Sequence, residues 1–228
     1  MPFDRTRVAR VRAPAIVALV AMAACRSAQQ APPGVSLAPG AGIVGAGSGA
    51  AIAAAEAAER RFTPADVEFM SGMIPHHAQA IIMSNWCESH GARGDVQKLC
   101  QKIVIAQRDE IRMMRGWLRD RGQDVPDSMS TKHTMKMGDM MHEMLMPGML
   151  TDEQMAALEK ARGSAFDRLY LTGMIGHHQG AIDMVRELRS HAGAAEEPTV
   201  FRFSNDVDAD QSAEIVRMKI MLESVPPL

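Results

Sequence analysis

The chain has 228 residues, of which 46% are hydrophobic and 23% charged, as in a globular protein of one or two domains. This composition excludes collagen-like, fully disordered and multi-span membrane chains. The formal net charge of -2 provides no large positive field for a phosphate backbone, so nucleic acid is not expected as a partner. The unusual feature is 20 Met against 6 Phe, 2 Trp and 1 Tyr, which indicates a use for thioether sulfur or for flexible apolar side chains.

The first residues, 1–24, have the features of an export signal. Basic residues lie between Arg5 and Arg12, residues 13–24 are apolar, and small residues precede Cys25. The apolar run is too short for a membrane helix, which needs roughly 20 residues. The residues before Cys25 resemble a bacterial lipobox, with Met in place of the usual Leu at its first position. We expect an exported protein, periplasmic or at the cell surface, that contacts the membrane only through a lipid on Cys25; ordinary signal cleavage nearby is the alternative.

The next segment, 25–62, is rich in Ala, Gly, Pro and Ser and has few large apolar residues. It cannot bury enough surface to offset the entropy lost on ordering, so we expect a tether. The folded part, 63–228, begins where Thr63 can act as a helix N-cap and Pro64 occupies the first helical position.

An internal repeat organises the folded part, because the block 66–91 is matched by the block 167–192 at one constant offset. The shared residues are Gly72, Met73, Ile74, His76, His77, Ala80, Ile81, Met83 and His90, matched by Gly173, Met174, Ile175, His177, His178, Ala181, Ile182, Met184 and His191. A later match pairs Gln107, Glu110, Ile111, Met114 and Leu118 with Gln211, Glu214, Ile215, Met218 and Leu222. The sequence therefore predicts two helix hairpins, over 63–121 and 151–224, joined by a long Met-rich connection over 122–150.

The spacing of apolar residues at three and four positions predicts helices, and no strand alternation is evident along the chain. Each hairpin would expose an apolar face, and the two faces can be buried by packing against each other. We therefore expect an all-α, ferritin-like four-helix bundle with a pseudo-twofold axis.

The two His-His pairs are the first candidate metal ligands. Adjacent residues point about 100° apart on a helix, so one ring of each pair can face the bundle centre. The shared stripe with Met73 and Met174 favours His77 and His178 as the central rings. The alternative is a polar core layer in which the four histidines, His76, His77, His177 and His178, are satisfied by Gln107, Glu110, Gln211 and Glu214.

The connection provides the second set of candidate ligands. Eight methionines lie within the 21 residues from Met129 to Met149, among charged residues that would make a poor core element. Soft thioethers select Cu(I), and silver by the same chemistry. The alternative is a flexible hydrophobic flap. The candidate ligands in this segment are Met135, Met137, Met140, Met141, His142 and Met144.

Cys87 and Cys100 lie on either side of the turn in the first hairpin, at comparable distances from it. Antiparallel helices would place them opposite each other, and an oxidising compartment would favour a disulfide. The alternative is a pair of thiolate metal ligands, although the second repeat has no cysteines at these places.

Motifs for catalysis are scarce. The sequence has no Glu-x-x-His pair on the bundle helices as a di-iron site requires, no Gly-rich phosphate loop and no nucleophile elbow. We expect a protein that is not an enzyme. The alternatives are an oxidase or ferroxidase with a metal site at Glu110, Glu214, His77 and His178, or a metal-free interaction module at the cell surface.

The repeated Gly-Met-Ile-x-His-His-x-x-Ala-Ile-x-Met blocks and the Gln-x-x-Glu-Ile-x-x-Met helices carry a family resemblance. Between Thr63 and Leu222 the chain resembles the ferritin-like family catalogued as a domain of unknown function, which includes the periplasmic copper-binding CopM proteins. The resemblance implies binding of copper or silver through Met and His and a role in metal resistance. Carried over by position, it implies Met73, His76, His77, Met83, Met114, Met174, His177, His178, Met184 and Met218 as ligands.

The chain departs from its own repeat at Gly180, where the first repeat has Gln79, and at Asp183, where the first has Ile82. The two halves are therefore not expected to bind metal equally. The function hypothesis is an exported protein that sequesters Cu(I) and passes it to a copper-transfer protein.

Overall fold

The computed structural model describes residues 61–137 and 140–227. The predicted export signal and the lipidation site Cys25 lie outside these residues, as does the tether except for its last two positions. The described helices and strands are, in chain order, α1 (Pro64–Asn85), α2 (Gly94–Asp120), β1 (His133–Met137), β2 (Met140–Met144), α3 (Asp152–Lys160), α4 (Gly163–Ser190) and α5 (Pro198–Glu223).

Four long helices form the bundle. Helices α1 and α2 pack as one antiparallel hairpin, α4 and α5 pack as the second, and α1 lies against α4. The predicted all-helical bundle of two repeated hairpins is confirmed. Among the described helices, none combines the length and the apolar character needed to cross a membrane.

Helix α1 begins as the sequence predicts. Thr63 is the N-cap, its hydroxyl accepts from the Asp66 N–H, and the Asp66 carboxylate accepts from the Thr63 N–H at 2.7 Å, which makes a capping box. The second oxygen of Asp66 accepts from the Ala195 N–H at 2.7 Å, in the loop of the other hairpin. The equivalent Asp167 accepts from the Arg93 N–H, in the loop of the first hairpin. Each hairpin is thus fastened to the turn of the other.

The connection contains two strands that the sequence did not predict. Strands β1 and β2 pair antiparallel, with His133 opposite Met144 and Met137 opposite Met140. Methionine has no strong preference for strands and the segment lacks a clear apolar alternation, so the expectation of no strand anywhere was wrong here. The pair is held to the bundle where His133 Nε2 donates to Glu68 Oε1 at 2.9 Å.

A short helix, α3, precedes the second hairpin. Thr151 caps it together with Gln154, and it ends before Ala161. Gly163, with a backbone φ of +56°, starts α4, and its N–H donates to the His90 carbonyl at 2.8 Å. The second hairpin therefore begins at residue 163, whereas the sequence placed it from residue 151.

Candidate metal centre

The two His-His pairs lie in the middle of α1 and α4, and all four side chains are completely buried. We call His76, His77, His177 and His178 the His layer. The rings of His76 and His177 are 3.8 Å apart between centroids, so these two residues meet where the hairpins pack together. The preference for His77 and His178 as the central pair was wrong. Helix α1 is buried on nearly all sides from Phe69 to Ser84, and an apolar stripe therefore could not show which ring faces the other hairpin.

The central rings each donate one hydrogen bond to a backbone carbonyl. His76 Nε2 lies 3.0 Å from the Pro147 oxygen, and His177 Nε2 lies 3.0 Å from the His76 oxygen. A carbonyl only accepts, so each Nε2 carries the hydrogen and each Nδ1 of the neutral ring has a free lone pair. Within residues 61–137 and 140–227, neither Nδ1 atom has a hydrogen-bond partner.

The outer rings each bond to a carboxylate on the second helix of their own hairpin. His77 Nε2 lies 2.7 Å from Glu110 Oε2, and His178 Nε2 lies 2.8 Å from Glu214 Oε2. The Nδ1 atoms of both rings are buried and also have no partner among the described residues. The predicted hydrogen bonds to Glu110 and Glu214 are therefore present, yet four Nδ1 atoms remain unsatisfied.

The electrostatics of the His layer favour neutral rings at the centre. Burial lowers the pKa of His76 to about 3, with the neighbouring His77 adding to the effect. Burial, together with His76, also lowers the pKa of His177 well below its usual value. An imidazole binds a metal through the neutral ring, so these two residues are ready to act as ligands over a wide pH range.

The bundle methionines implied by the resemblance are buried on either side of the His layer. They are divided between two core clusters, one with Met83, Met174 and Met218 and the other with Met73, Met114 and Met184. Each cluster combines two methionines of one hairpin with the third of the other hairpin. The structure thus brings the six predicted thioethers together as two equivalent sets.

The glycines shared by the repeats accommodate the methionines that cross between the hairpins. A Cβ atom on Gly72 would lie 3.5 Å from Met184 Cε, and one on Gly173 would lie 3.4 Å from Met83 Cε. The two halves of the bundle therefore use the same packing on both sides of the pseudo-twofold axis.

Residues 146–150, here called the strap, cover one side of the His layer and break this symmetry. Pro147 supplies the carbonyl that accepts from His76. A Cβ atom on Gly180 would lie 1.9 Å from the Pro147 oxygen, so only glycine allows the strap to approach α4 this closely. The Gln79 side chain donates to the Leu150 carbonyl at 2.9 Å and accepts from the Leu150 N–H at 2.8 Å. Both members of the Gln79 and Gly180 pair thus serve to hold the strap.

The candidate ligands of the connection lie on β1 and β2. The strand register places Met135 opposite His142, and Met137 opposite Met140. The Met140 side chain is 65% exposed, and Met144 is 45% exposed. Binding of Cu(I) by this segment stays a prediction.

No group of three or more His, Cys, Asp or Glu side chains in the described part of the chain is placed to hold a metal ion. The set Glu110, Glu214, His77 and His178, on which the oxidase alternative depends, forms two separate hydrogen-bonded pairs, one within each hairpin.

Cys87 and Cys100 are joined in a disulfide, with Cα atoms 6.5 Å apart. Both residues are buried, in the same core cluster as Met83. They are not available as thiolate ligands in this state. The reasoning from sequence missed Pro147 and Gln79 as neighbours of the His layer, although the unmatched Gln79 and Gly180 were a signal that something breaks the repeat there.

Comparison with known proteins agrees with this architecture. The family model "Domain of unknown function (DUF305)" matches residues 66–222. The chain belongs to the DUF305 family. A putative secreted DUF305 protein from Streptomyces coelicolor has a similar structure, with a TM-score of 0.56 and 29% identity over 70% of this chain and 92% of that chain.

A solved structure with a named metal is also similar. CopM in the Cu(I)-bound form has a TM-score of 0.53 and 27% identity over 72% of this chain and 97% of that chain. CopM has also been solved in Cu(II)-bound and Ag-bound forms. An uncharacterised protein, L153, of Acanthamoeba polyphaga mimivirus is 38% identical over 56 residues, which is 25% of this chain and 37% of that protein.

Proposed function

We propose that this DUF305 protein binds Cu(I), and Ag(I) by the same chemistry, through the His layer and the methionines packed beside it. The observation that carries the proposal is the set of four buried Nδ1 atoms that have no hydrogen-bond partner within the described residues. A buried acceptor left unpaired costs about 1 to 3 kcal/mol, and the cost is removed when its lone pair binds a metal ion.

The donor set fits a soft monovalent cation. Imidazole nitrogen suits copper, and thioether sulfur selects Cu(I) over harder ions. The proposed bundle ligands are His76, His77, His177 and His178, with Met73, Met83, Met114, Met174, Met184 and Met218. The connection, with Met135, Met137, Met140, Met141, His142 and Met144, is a second proposed region for Cu(I).

The carboxylates of Glu110 and Glu214 have a supporting role in this proposal. A metal-binding histidine commonly donates its other ring N–H to a carboxylate, which fixes the tautomer and makes the ligand more basic. Glu110 and Glu214 make this contact with His77 and His178. The two outer rings are thereby oriented with Nδ1 as the atom left to bind metal.

The cellular role that we propose is sequestration or carriage of copper outside the cytoplasm, in metal resistance or homeostasis. Support comes from the sequence features of export, from the copper- and silver-bound CopM structures and from the disulfide, which is typical of oxidising compartments. We further propose anchoring through a lipid on Cys25, transfer of Cu(I) to a partner protein, and binding without catalysis.

A competition titration tests the proposal. The mature chain is titrated with Cu(I) against a chromophoric Cu(I) chelator, alongside a variant with His76→Gln and His177→Gln. We expect the variant to lose the most tightly held copper, because glutamine keeps the N–H donor but has no lone pair at the Nδ1 position.

A matched control is His90→Gln, which replaces another buried histidine, outside the His layer, whose Nε2 also donates to a backbone carbonyl, that of Glu159. It should bind copper as the wild type does. The proposal fails if the wild-type chain holds no Cu(I) in competition. The assignment to the His layer fails if the double variant and the control titrate alike while both remain helical.

A further inference from the structure

Three methionines line one open groove that lies outside the His layer. The groove is a cavity of about 440 Å³ between α1, α4 and the end of β2, and its walls include Met144, Met146, Met184 and Pro147. Pro147 is also the residue whose carbonyl accepts from His76. The strap therefore both forms part of the groove wall and contacts the His layer.

Two of these methionines converge over a glycine. A Cβ atom on Gly72 would lie 2.7 Å from Met146 Cε, 3.4 Å from Met146 Sδ and 3.5 Å from Met184 Cε. The ends of the Met146 and Met184 side chains therefore occupy the space that any larger residue at position 72 would fill. Two thioethers that meet in this way can bind the same soft cation.

The exposure of the methionines decreases from the groove towards the core. Met144 is 45% exposed and Met184 is 6% exposed, whereas Met73 and Met114 in the same cluster as Met184 are completely buried. Met184 belongs both to the groove and to this core cluster. Thioethers therefore continue from the surface to the methionines beside the His layer.

The rim of the groove is negatively charged. Glu68, Asp183 and Glu187 line it, and its described lining includes no lysine or arginine. Asp183 is paired with Arg186, Glu68 with His133 and Glu187 with His191. The rim thus favours a cation over an anionic or purely apolar ligand.

The other side of the bundle offers no such arrangement. At Gly173, the equivalent of Gly72, a Cβ atom would lie 3.1 Å from Leu150 Cδ2 and 3.4 Å from Met83 Cε. A leucine of the strap there takes the place that Met146 has over Gly72. The convergence of two thioethers is therefore specific to one side, which makes the other side a control.

From these observations we infer that the groove is an uptake site for Cu(I) or Ag(I), held by the thioethers of Met144, Met146 and Met184 before the ion reaches the His layer. The inference rests on the proposed function and adds to it a surface site with sulfur ligands alone. Met146 is the residue on which it depends most, because it joins the exposed Met144 to the buried Met184.

The experiment is an Ag(I) titration of the mature chain labelled with ¹³C at the methionine methyl groups. It is done in the variant with His76→Gln and His177→Gln, so that the central His pair does not compete. We expect the resonances of Met144, Met146 and Met184 to shift together. Met146→Leu should weaken this binding about tenfold, equivalent to about 1.4 kcal/mol.

Two matched controls are available in the chain. Met70→Leu changes a buried methionine of the same core cluster, at a position where the second repeat has Leu171, and should leave the titration unchanged. Gly72→Ala should weaken binding, because its methyl group displaces the end of Met146, whereas Gly173→Ala should not.

The inference is overturned if the three methyl resonances do not shift, or if Met146→Leu and Met70→Leu give the same titration. These outcomes are distinct from failure of the proposed function. If the groove shifts with Ag(I) but the double histidine variant holds Cu(I) as tightly as the wild type, the uptake site stands and the His-layer assignment is wrong.

Discussion

The hairpins α1–α2 and α4–α5 have the candidate histidine and methionine ligands, with Glu110 and Glu214, at equivalent positions, but the strap makes different contacts with the two hairpins. It is fastened to the first hairpin by the Gln79 side chain and admitted to the second by the absence of a side chain at Gly180. The residues shared by the two repeats are thus the proposed metal ligands. Gln79 and Gly180, which differ between the repeats, lie where the strap packs against the two hairpins.

The largest expected effect is a loss of stability at low pH, caused by the two central histidines, one from each hairpin. The pKa of His76 is lowered to about 3 and that of His177 is also lowered, whereas both would titrate near 6.5 in the unfolded chain. Below about pH 6.5 the unfolded state binds more protons, so stability is lost as pH falls. Between pH 7.5 and 4.5 we expect the metal-free protein to lose about 3 kcal/mol through His76, and a further amount through His177.

Urea unfolding at several pH values measures this loss, and single variants show whether the hairpins contribute equally. His76→Gln and His177→Gln each remove one titrating ring, so each should reduce the acid sensitivity. An acid sensitivity that neither variant reduces would contradict the assignment to these rings.

The second prediction uses the disulfide, which only the first hairpin has. At the positions equivalent to Cys87 and Cys100, the second hairpin has Leu188 and Ser204. The variant with Cys87→Leu and Cys100→Ser therefore makes the first hairpin like the second. A disulfide that closes a loop of this size stabilises by about 3 kcal/mol through the entropy of the unfolded chain, so we expect a loss of that order.

Urea unfolding of the variant gives this loss, and the wild type treated with a reducing agent is the control. Reduction should lower the free energy of unfolding of the wild type by a similar amount and leave the variant unchanged. A variant as stable as the oxidised wild type would show that the link does not contribute.

The sequence predicted the bundle, the duplication and the helix start at Thr63, because each depends on local spacing or on residues close together in the chain. It did not predict which ring of each His pair meets the other hairpin. That choice depends on how α1 is covered by its neighbours α2, α3, α4 and β1, and a helix buried on nearly all sides has no apolar stripe to indicate it. The path of the strap could not be predicted from the sequence either, because it depends on a backbone contact between Pro147 and Gly180, which are far apart in the chain.

The third prediction tests whether the asymmetry of the strap matters for stability. Gly180→Ala places a methyl group against the Pro147 carbonyl, and the strap has to move away from α4. Overpacking of this kind costs about 2 kcal/mol, which lowers the Tm by about 4 to 8 °C in a protein of this size.

Thermal unfolding followed by circular dichroism measures this change, with Gly176→Ala as the control. Gly176 lies one turn earlier in α4, and a Cβ atom there would have no neighbour within 4 Å. Because alanine favours helix over glycine, the control should keep or raise the Tm. If both variants have the same Tm, the close approach of the strap to Gly180 is not required.

The smallest expected effect is a difference in unfolding free energy between variants of Asp66 and of Asp167. These two carboxylates fasten each hairpin to the turn of the other. One oxygen of Asp66 accepts from the Ala195 N–H at 2.7 Å, and the other accepts from the Thr63 N–H at 2.7 Å and from the Thr63 hydroxyl at 2.9 Å. Both oxygens of Asp167 share the N–H of Arg93, at 3.2 and 3.3 Å, and burial raises the pKa of this carboxyl.

Asparagine has one acceptor oxygen, so Asp66→Asn leaves one of two short bonds unmade and should cost about 1 kcal/mol in urea unfolding. Asp167→Asn keeps one acceptor for the single Arg93 N–H and removes a charge that burial disfavours, so the loss there should be smaller, about 0.5 kcal/mol or less. Equal losses would contradict this explanation, because the hydrogen bonds of Asp66 and Asp167 differ in number and length. The loss common to both variants would then come from the negative charge that each substitution removes.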